Sequence, residues 1–471
     1  MNRALDWEMV TLTQDDGPFT SSQRAPLKMP VSRARAPRVE IPGMSVGDIV
    51  AILAQFSILL LFSVSFTSLL EAAFILSLHT VLFLPFEVAR TLYRNRSYFS
   101  QRQHVTLFQA VVFSVVRVAF AYFDHEIPRV FFSTANAEPF AKRRLGKELW
   151  KTCRSFYEPR QAVGGWWIAD PDDTENLVAG TGPKNNRLVI MYAHGGGFAL
   201  GSPTFYLEFL ARLRQRLAAA HPSLKNVAIF APYYPLAPEQ KYPDQSIAIE
   251  KCWKYLASHA GIDSNRLVAA GDSAGAALCV GLMNELAKGN LEKLPMPQQS
   301  VLISPWSNVE LDPQHASILG NSSYDYVDPF ALSDFAGLLL YGKPPKRYPA
   351  IVRFWLDSIA RTIPPLKRAV RQKLIERRRS SAGHEQLQFQ LPAVSAMPMK
   401  GTLVFYGQQE ILREQTIALT SKIHDDTVLT CAGKQNAVHA WPVYAMFLGR
   451  DERERTEGID NIVSFICKAC I

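Results

Sequence analysis

Three short stretches of this sequence carry residue types that together can run nucleophilic acyl chemistry. The first, "AAGDSAGAAL", places Ser273 between Gly271 and Gly275, after a short apolar run and ahead of an Ala-rich helical segment. That is the G-x-S-x-G elbow, a strand-to-helix turn so tight that only small residues fit on either side of the nucleophile. A helix N-terminus behind the serine favours developing negative charge. The pentapeptide alone is a weak signal. Its strand, turn and helix setting gives it weight.

The second stretch is "YAHGGGFALGS", with His194 followed by Gly195, Gly196 and Gly197. Consecutive glycines let the backbone approach a ligand and aim N–H groups at it. The expected oxyanion donors come from Gly195, Gly196 and Gly197, chiefly the last two, together with Ala274. Such preorganised donors commonly supply several kcal/mol of transition-state stabilisation. A phosphate cradle is the rival, but the Lys-Ser/Thr ending of a P-loop and the G-x-G-x-x-G pattern are both absent. His194 reads as a brace for the glycine turn rather than as a base.

The third stretch is "AVHAWPVY". His439 follows the last strand-like run and precedes a helical one, whereas its competitor His424 lies before that strand. On a sheet of this kind the triad runs Ser, acid, His along the chain. The acid should therefore end a strand between Ser273 and His439. Glu410 in "LVFYGQQEILREQ" meets that position. Asp425 and Asp426 precede the last strand, and Glu414 lies one helical turn further on. The acid holds the imidazole in the right tautomer and stabilises its charge.

The elements that must position these residues are legible too. Apolar strand-like runs at Leu188–Ala193, Val227–Ala231, Leu267–Ala270 and Val301–Ile303, then "GTLVFYG" and "VLTCAG", alternate with helical stretches such as Tyr206–Ala219 and Asp244–His259. This alternation predicts an α/β fold with a mostly parallel sheet and helices on both faces. Ligands sit at the C-terminal ends of such strands, and every motif above falls at one.

Ahead of this domain, residues 1–45 are rich in Pro, Ser, Arg and Thr and read as a disordered tail. "IVAILAQFSILLLFSVSFTSLL", Ile49 to Leu70, has the length and apolarity of a bilayer-spanning helix. After Glu71 a second apolar block runs to Phe86, as an interfacial helix or half of a hairpin. A third run, Val105 to Phe123, contains Gln109 and Arg117 and reads as a helix packed on the catalytic domain or the membrane face. The division is a tail at 1–45, membrane-anchor and membrane-associated helices at 46–125, and a catalytic domain at 126–471 with a helical insert at about 308–398. Basic residues flank both sides of the apolar block, so charge assigns no topology. Asn95-Arg96-Ser97 and Asn321-Ser322-Ser323 match the glycosylation pattern.

The chain has 471 residues, 48% hydrophobic and 20% charged, with a net charge of +9. Its cysteines suit neither a disulfide scaffold nor a zinc site, and Cys467 and Cys470 do not form a prenylation box. Much of the positive charge lies in the insert, at Lys367, Arg368, Arg371, Lys373, Arg377, Arg378 and Arg379. That cluster is either a solvated face or a surface for anionic headgroups. A nucleic-acid partner is not expected, since no recognition fold surrounds it. Phe354, Trp355, Ile359 and Ile363 line a pocket or belong to the core, and "DYVDPFALSDFAGLLLYG" predicts a helix near the site.

Together the H-G-G-G block, the G-D-S-A-G elbow and "YPLAPEQKYP" resemble the hormone-sensitive-lipase-like branch of the α/β-hydrolase fold. Pro235 stands where that family has Arg, and Glu410 where it has Asp. The resemblance covers roughly residues 145–465. It implies an acyl-enzyme on Ser273, with no metal or cofactor. The anchor ahead of the domain is similar in layout to fungal steryl acetyl hydrolases and arylacetamide deacetylases. That layout implies an endoplasmic-reticulum membrane esterase whose partners are membrane lipid and an apolar ester such as an acetylated sterol. A protein of this fold with lost catalysis, and an acyltransferase, are the alternatives.

Overall fold

The computed structural model describes residues 8–11, 40–97, 105–179, 187–259, 262–291, 294–309, 316–343, 350, 352–354, 398, 400–423 and 429–469. Its strands are β1 (Glu8–Thr11), β2 (Cys153–Glu158), β3 (Val163–Ile168), β4 (Val189–Ala193), β5 (Ala228–Pro232), β6 (Leu267–Asp272), β7 (Gln299–Ile303), β8 (Thr402–Gly407) and β9 (Leu429–Lys434). They form one sheet in the order β1-β9-β8-β7-β6-β4-β5-β3-β2. The six strands expected from the sequence are β4 to β9, and all pair in parallel. At the ends, β1 pairs antiparallel to β9, β3 to β5 and β2 to β3.

Burial explains the parallel centre. Every residue of β4 is buried. Val189, Met191 and Ala193 enter one core, while Ile190 and Tyr192 enter the other. A strand covered on both faces reads as a continuous apolar run. β3 was hidden from such a reading by its two glycines, and Gly165 is needed because a Cβ there would collide with the Ala231 carbonyl oxygen.

The N-terminal helices are α1 (Val46–Ser63), α2 (Phe66–Leu78), α3 (Leu84–Ser97), α4 (Leu107–Tyr122), α5 (Glu126–Phe132) and α6 (Thr134–Trp150), with a π turn at His79–Phe83 joining α2 to α3. Then come α7 (Pro171–Ala179), α8 (Leu207–Ala220), α9 (Asp244–Ser258), α10 (Ala274–Ala287), α11 (Ala316–Asn321), α12 (Pro329–Tyr341), α13 (Arg413–Thr420), α14 (Trp441–Leu448) and α15 (Glu452–Lys468). Helices α9, α10 and α12 bury their apolar faces in the first core, and α8, α14 and α15 in the second.

Two apolar spans, Val46–Ser63 and Phe66–Tyr93, are long enough to cross a membrane. Their outer faces are bare: Phe62 is 86% exposed, and Leu61, Phe66 and Phe86 are nearly as open. Helix α4 instead packs on the sheet-containing body, with Gln109 Nε2 donating to Leu448 O at 3.0 Å and Arg117 buried. Ile75, Val118, Ala121, Tyr122, Ala350 and Phe354 form a third, smaller core. Phe354 thus belongs to a core. Trp355, Ile359, Ile363 and the basic cluster from Lys367 to Arg379 lie outside the described residues.

The tail expected over residues 1–45 needs correction at both ends. Glu8–Thr11 add an edge strand to the sheet, because even a short extended segment satisfies the unpaired groups of an edge. At the other end Ile41 is fully buried in the second core. Arg144 holds this entry. It forks onto Glu208 at 2.9 and 3.0 Å, reaches Asp48 at 3.1 Å, and donates to the carbonyls of Pro42 and Gly43 at 2.7 and 2.9 Å. Asp48 in turn closes the capping box that starts α1. Replacing one member of a buried ion pair costs about 3–5 kcal/mol, because the partner charge stays uncompensated. Arg144→Met is therefore expected to lower the thermal midpoint of the detergent-solubilised protein sharply. Arg144→Met/Glu208→Gln should recover part of the loss, and a single variant that melts like the parent would show that the pair does not hold the N-terminal helices.

Candidate active site

The carboxyl ends of β9, β8, β7, β6 and β4 lie side by side and carry His439, Glu410, Ser304, Ser273 and His194 in that order. The strand order reverses between β4 and β6, and such switch points open a crevice. Ser273 sits at φ 50°, ψ −117°, a region that costs a side-chain-bearing residue energy unless its surroundings impose it. They do so here. Ser273 N–H donates to Ile303 O at 2.8 Å, and Trp306 N–H donates to Ser273 O at 3.2 Å. Gly275 has no room for a Cβ, which would overlap the carbonyls of Ala193 and His194. Helix α10 can therefore start directly behind the serine.

The glycine turn after β4 has Gly196 at φ 115° and Gly197 at φ 61°. A Cβ on Gly197 would strike the Phe335 ring. Among the described residues no hydrogen bond uses the N–H of Gly196, Gly197 or Ala274. Gly195 departs from its expected role as a donor to the oxyanion. Its N–H is already committed to Asp272 Oδ1 at 3.0 Å and to the Tyr206 hydroxyl at 3.3 Å. The Asp272 carboxylate also receives the hydroxyls of Tyr192 at 3.0 Å and Tyr206 at 2.9 Å. Burial pushes its pKa up to about 6, while those hydroxyls and the Gly195 N–H pull the other way.

His194 braces the turn. Its Nδ1 lies 2.7 Å from Gly195 O, and its ring stacks on Tyr234 with centroids 4.3 Å apart. The Tyr234 hydroxyl donates to His194 O at 2.7 Å. Burial holds the imidazole pKa down at about 4, so the ring is neutral at pH 7 and Nδ1–H can donate to the Gly195 carbonyl.

Glu410 and His439 come together from neighbouring loops. Glu410 is fully buried, and its Oε2 lies 3.9 Å from His439 Nδ1. That is longer than a hydrogen bond. Burial pushes the Glu410 carboxyl up to about 8, with the Ser304 hydroxyl opposing and Asp325 adding to the rise. Burial also holds the His439 imidazole down at about 3. The site thus favours the uncharged form of each. His424, Asp425 and Asp426 lie outside the described residues. Glu414 accepts from Ser317 N at 3.1 Å, which braces the loop.

Two residues of this neighbourhood carry no motif. Ser304 donates to Glu410 Oε2 at 2.6 Å and accepts from Ala440 N at 3.0 Å, so one hydroxyl spans both loops. Its place directly after β7 is the signal that could have found it. Asp325 lies inside the insert and accepts from the backbone of Ile411 and His439. Nothing in its sequence surroundings marks it. The Asn321 pattern is not free for a glycan either, since Asn321 Nδ2 donates to Gln408 O at 3.1 Å and Glu410 O at 2.9 Å. Among the described residues no three His, Cys, Asp or Glu side chains are grouped to hold a metal ion.

Residues 190–390 match a protein family described as alpha/beta hydrolase fold. An ethyl acetate hydrolase of Pseudomonas putida is 33% identical over 119 residues, 25% of this chain and 34% of that protein. An acetyl-hydrolase of Streptomyces hygroscopicus is 31% identical over 126 residues, 27% of this chain and 38% of that one. An arylacetamide deacetylase of Oryctolagus cuniculus is 27% identical over 136 residues, 27% of this chain and 32% of that one. The chain thus spans about a third of the length of these relatives. A hormone-sensitive lipase from a metagenome library shares the fold, with a TM-score of 0.51 at 18% identity, covering 76% of this chain and 97% of that one. The chain has the α/β-hydrolase fold.

The raised carboxyls give a signed pH dependence. Glu410 goes from an ordinary 4.5 up to about 8. The folded protein therefore keeps the full benefit of that proton below about 4.5 and loses it as pH rises through 8, because the unfolded chain ionises freely. Asp325, raised to about 7, and Asp272, raised to about 6, act in the same direction. Gln at 410 does not titrate. Glu410→Gln is expected to melt progressively higher than the parent between pH 5 and pH 8, with no advantage at lower pH. Melting curves across that range check this, and a difference independent of pH would contradict it.

Proposed function

We propose that this chain is a membrane-anchored serine carboxylic-ester hydrolase that removes acyl groups, acetyl above all, from apolar alcohols such as sterols. The observation that carries the reading is the strained Ser273 turn, fixed at φ 50°, with the uncommitted N–H groups of Gly196, Gly197 and Ala274. An elbow serine with donors waiting for an oxyanion is the equipment of acyl transfer.

In this mechanism His439 takes the Ser273 proton as Oγ attacks the ester carbonyl. The carbonyl oxygen becomes the oxyanion and is held by the N–H groups of Gly196, Gly197 and Ala274. His439 then gives its proton to the leaving alcohol, which departs as the acyl-enzyme forms. Water attacks the acyl carbon next and gives a proton to His439, which returns it to Ser273 Oγ as the acyl–oxygen bond breaks and the acid leaves. Glu410 acts through its carboxylate, holding the imidazole and stabilising the imidazolium. Burial holds that carboxyl toward its neutral form at rest, and in this reading the positive charge that forms on His439 favours its ionised form.

The surroundings support an apolar substrate. Tyr326 lies 6.1 Å from the His439 ring, Phe113 and Phe120 of α4 lie 5.9 and 6.4 Å from Tyr326, and Phe335 lies 6.3 Å from Phe120. A cavity of about 470 Å³ opens beside the glycine turn, between Leu59 and Ser63 of α1 and His194, Gly201, Tyr234 and Leu236. Ser273 and His439 are not on its wall. The bare apolar faces of α1 and α2 support the anchor, and the endoplasmic reticulum enters through the resemblance in layout.

A second reading, a ligand-binding protein with impaired catalysis, is favoured by one observation. Glu410 Oε2 is bonded to Ser304 and stands 3.9 Å from His439. Fluorophosphonate labelling separates the two. The esterase reading expects the solubilised chain to label at Ser273, to hydrolyse p-nitrophenyl acetate and a sterol acetate, and to lose about 10³-fold or more of kcat in Ser273→Ala. A folded protein that neither labels nor hydrolyses would sink it. Carbonate-resistant sedimentation with membranes is expected of the full chain.

A further inference from the structure

The residues that tie Glu410 and His439 together are themselves gripped by the N-terminal helices. The segment from Asn321 to Asp325 runs between the two layers as a strap. On its inner side, the Asp325 carboxylate accepts from Ile411 N at 2.8 Å through Oδ2 and from His439 N at 3.3 Å through Oδ1, which also takes Val327 N at 3.3 Å. One carboxylate therefore joins the loop of the expected acid to the loop of the expected base. Asn321 adds its two bonds to the acid loop, and Ser317 Oγ donates to Ile411 O at 2.9 Å.

On its outer side, two arginines hold the same segment. Arg117 of α4 donates from Nε to Asp325 O at 2.7 Å and from Nη2 to Tyr324 O at 3.2 Å. Arg90, near the end of the second apolar span, donates to Ser323 O at 2.8 Å and lies over the Tyr324 ring at 5.4 Å. Glu87 sits between them, 2.6 Å from Arg90 and 3.9 Å from Arg117. Arg117 is almost wholly buried, so its two carbonyl bonds are made where an unmade bond is expensive.

We propose that Asp325 is a positioning residue for the Glu410–His439 pair, and that Arg117 makes the seating of the N-terminal helices a condition of that alignment. The N-terminal layer then does more than tether: it completes the catalytic geometry through the strap. This rests on the esterase reading above. A shift of about 1 Å at a catalytic pair can cost on the order of 10²-fold in rate, so small movements of the strap matter.

The titratable and charged groups around Asp325 are Arg117 from α4, Glu410 from the acid loop, His439, Tyr326 next in sequence and Tyr444 from α14. The Asp325 charge opposes ionisation of Glu410. Removing it should therefore let Glu410 ionise at lower pH, which a general loss of packing would not do.

The test uses the full chain in detergent, with p-nitrophenyl acetate as substrate and fluorophosphonate as active-site probe. Asp325→Asn keeps the shape but turns either an amide or a weaker acceptor toward the two N–H groups. Its kcat is expected to fall about 10- to 100-fold, with KM within about twofold, as for loss of an interaction felt in the transition state. The acid limb of its kcat/KM profile should move to lower pH. Arg117→Met, which keeps the stem, should lower kcat about threefold or more with KM unchanged, and Arg117→Lys should restore part of it. A folded Asp325→Asn with parental kcat and parental pH profile would overturn the proposal. If that variant does not fold, Arg117→Met decides: parental kcat overturns the proposal, and a selective loss of kcat supports it. A parent chain that neither labels nor hydrolyses defeats the esterase reading instead, so the two failures are told apart.

Discussion

The carboxyl end of the sheet depends on one buried carboxylate, that of Asp272. It precedes the elbow serine on β6 and takes hydrogen bonds from Tyr192 on the neighbouring strand β4, from Tyr206 at the entrance to α8, and from the Gly195 backbone. Two strand ends, a helix entrance and a glycine turn are thereby fixed to one point. A buried carboxylate without partners would be prohibitively costly. With three donors converging on it, it becomes a rigid reference for the groups that would meet a substrate. Gly195 serves that reference with its N–H, while the N–H groups of the next two glycines stay uncommitted among the described residues.

The same economy of buried polar groups recurs across the sheet. The Ser304 hydroxyl spans the loops after β8 and β9, and the Asp325 carboxylate spans them again from the other side. Local strain accompanies these contacts. Ser273 and Ser304 both take positive φ, at 50° and 46°, and each ends a parallel strand in the centre of the sheet. Such conformations persist only where the surroundings over-determine them, and here backbone bonds to neighbouring strands do so. The cost is concentrated in charge: three carboxyls near the site are held toward their neutral forms by burial.

What the sequence revealed follows from what kinds of signal it carries. Strands β4 to β9 were legible because burial on both faces makes them uninterrupted apolar runs. Ser273 was legible because steric crowding forces small neighbours on it, and His439 and Glu410 because chain order and strand ends narrow the choice. β1 and β3 were not. The first is a short edge segment whose pairing partner lies more than four hundred residues away, and the second is disguised by glycines required for close backbone approach. Asp325 and Arg117 were equally hidden, since their partners are backbone groups of distant loops and no local pattern encodes such contacts. Gly195 was misassigned because three adjacent glycines look alike in sequence. Only the orientation of each N–H distinguishes a donor to Asp272 from one that is uncommitted.

The attachment of α1 to the body has one more consequence. Its first turn is fastened through Asp48 to Arg143 and Arg144, and midway along it Phe56 packs edge-on to Phe131 of α5 with centroids 5.4 Å apart. The helix is 18 residues, about 27 Å at about 1.5 Å per residue. A helix held at its first turn and again at its middle cannot swing like a leash. Whatever apolar surface its bare outer face meets, the sheet beside it would keep one fixed orientation toward that surface.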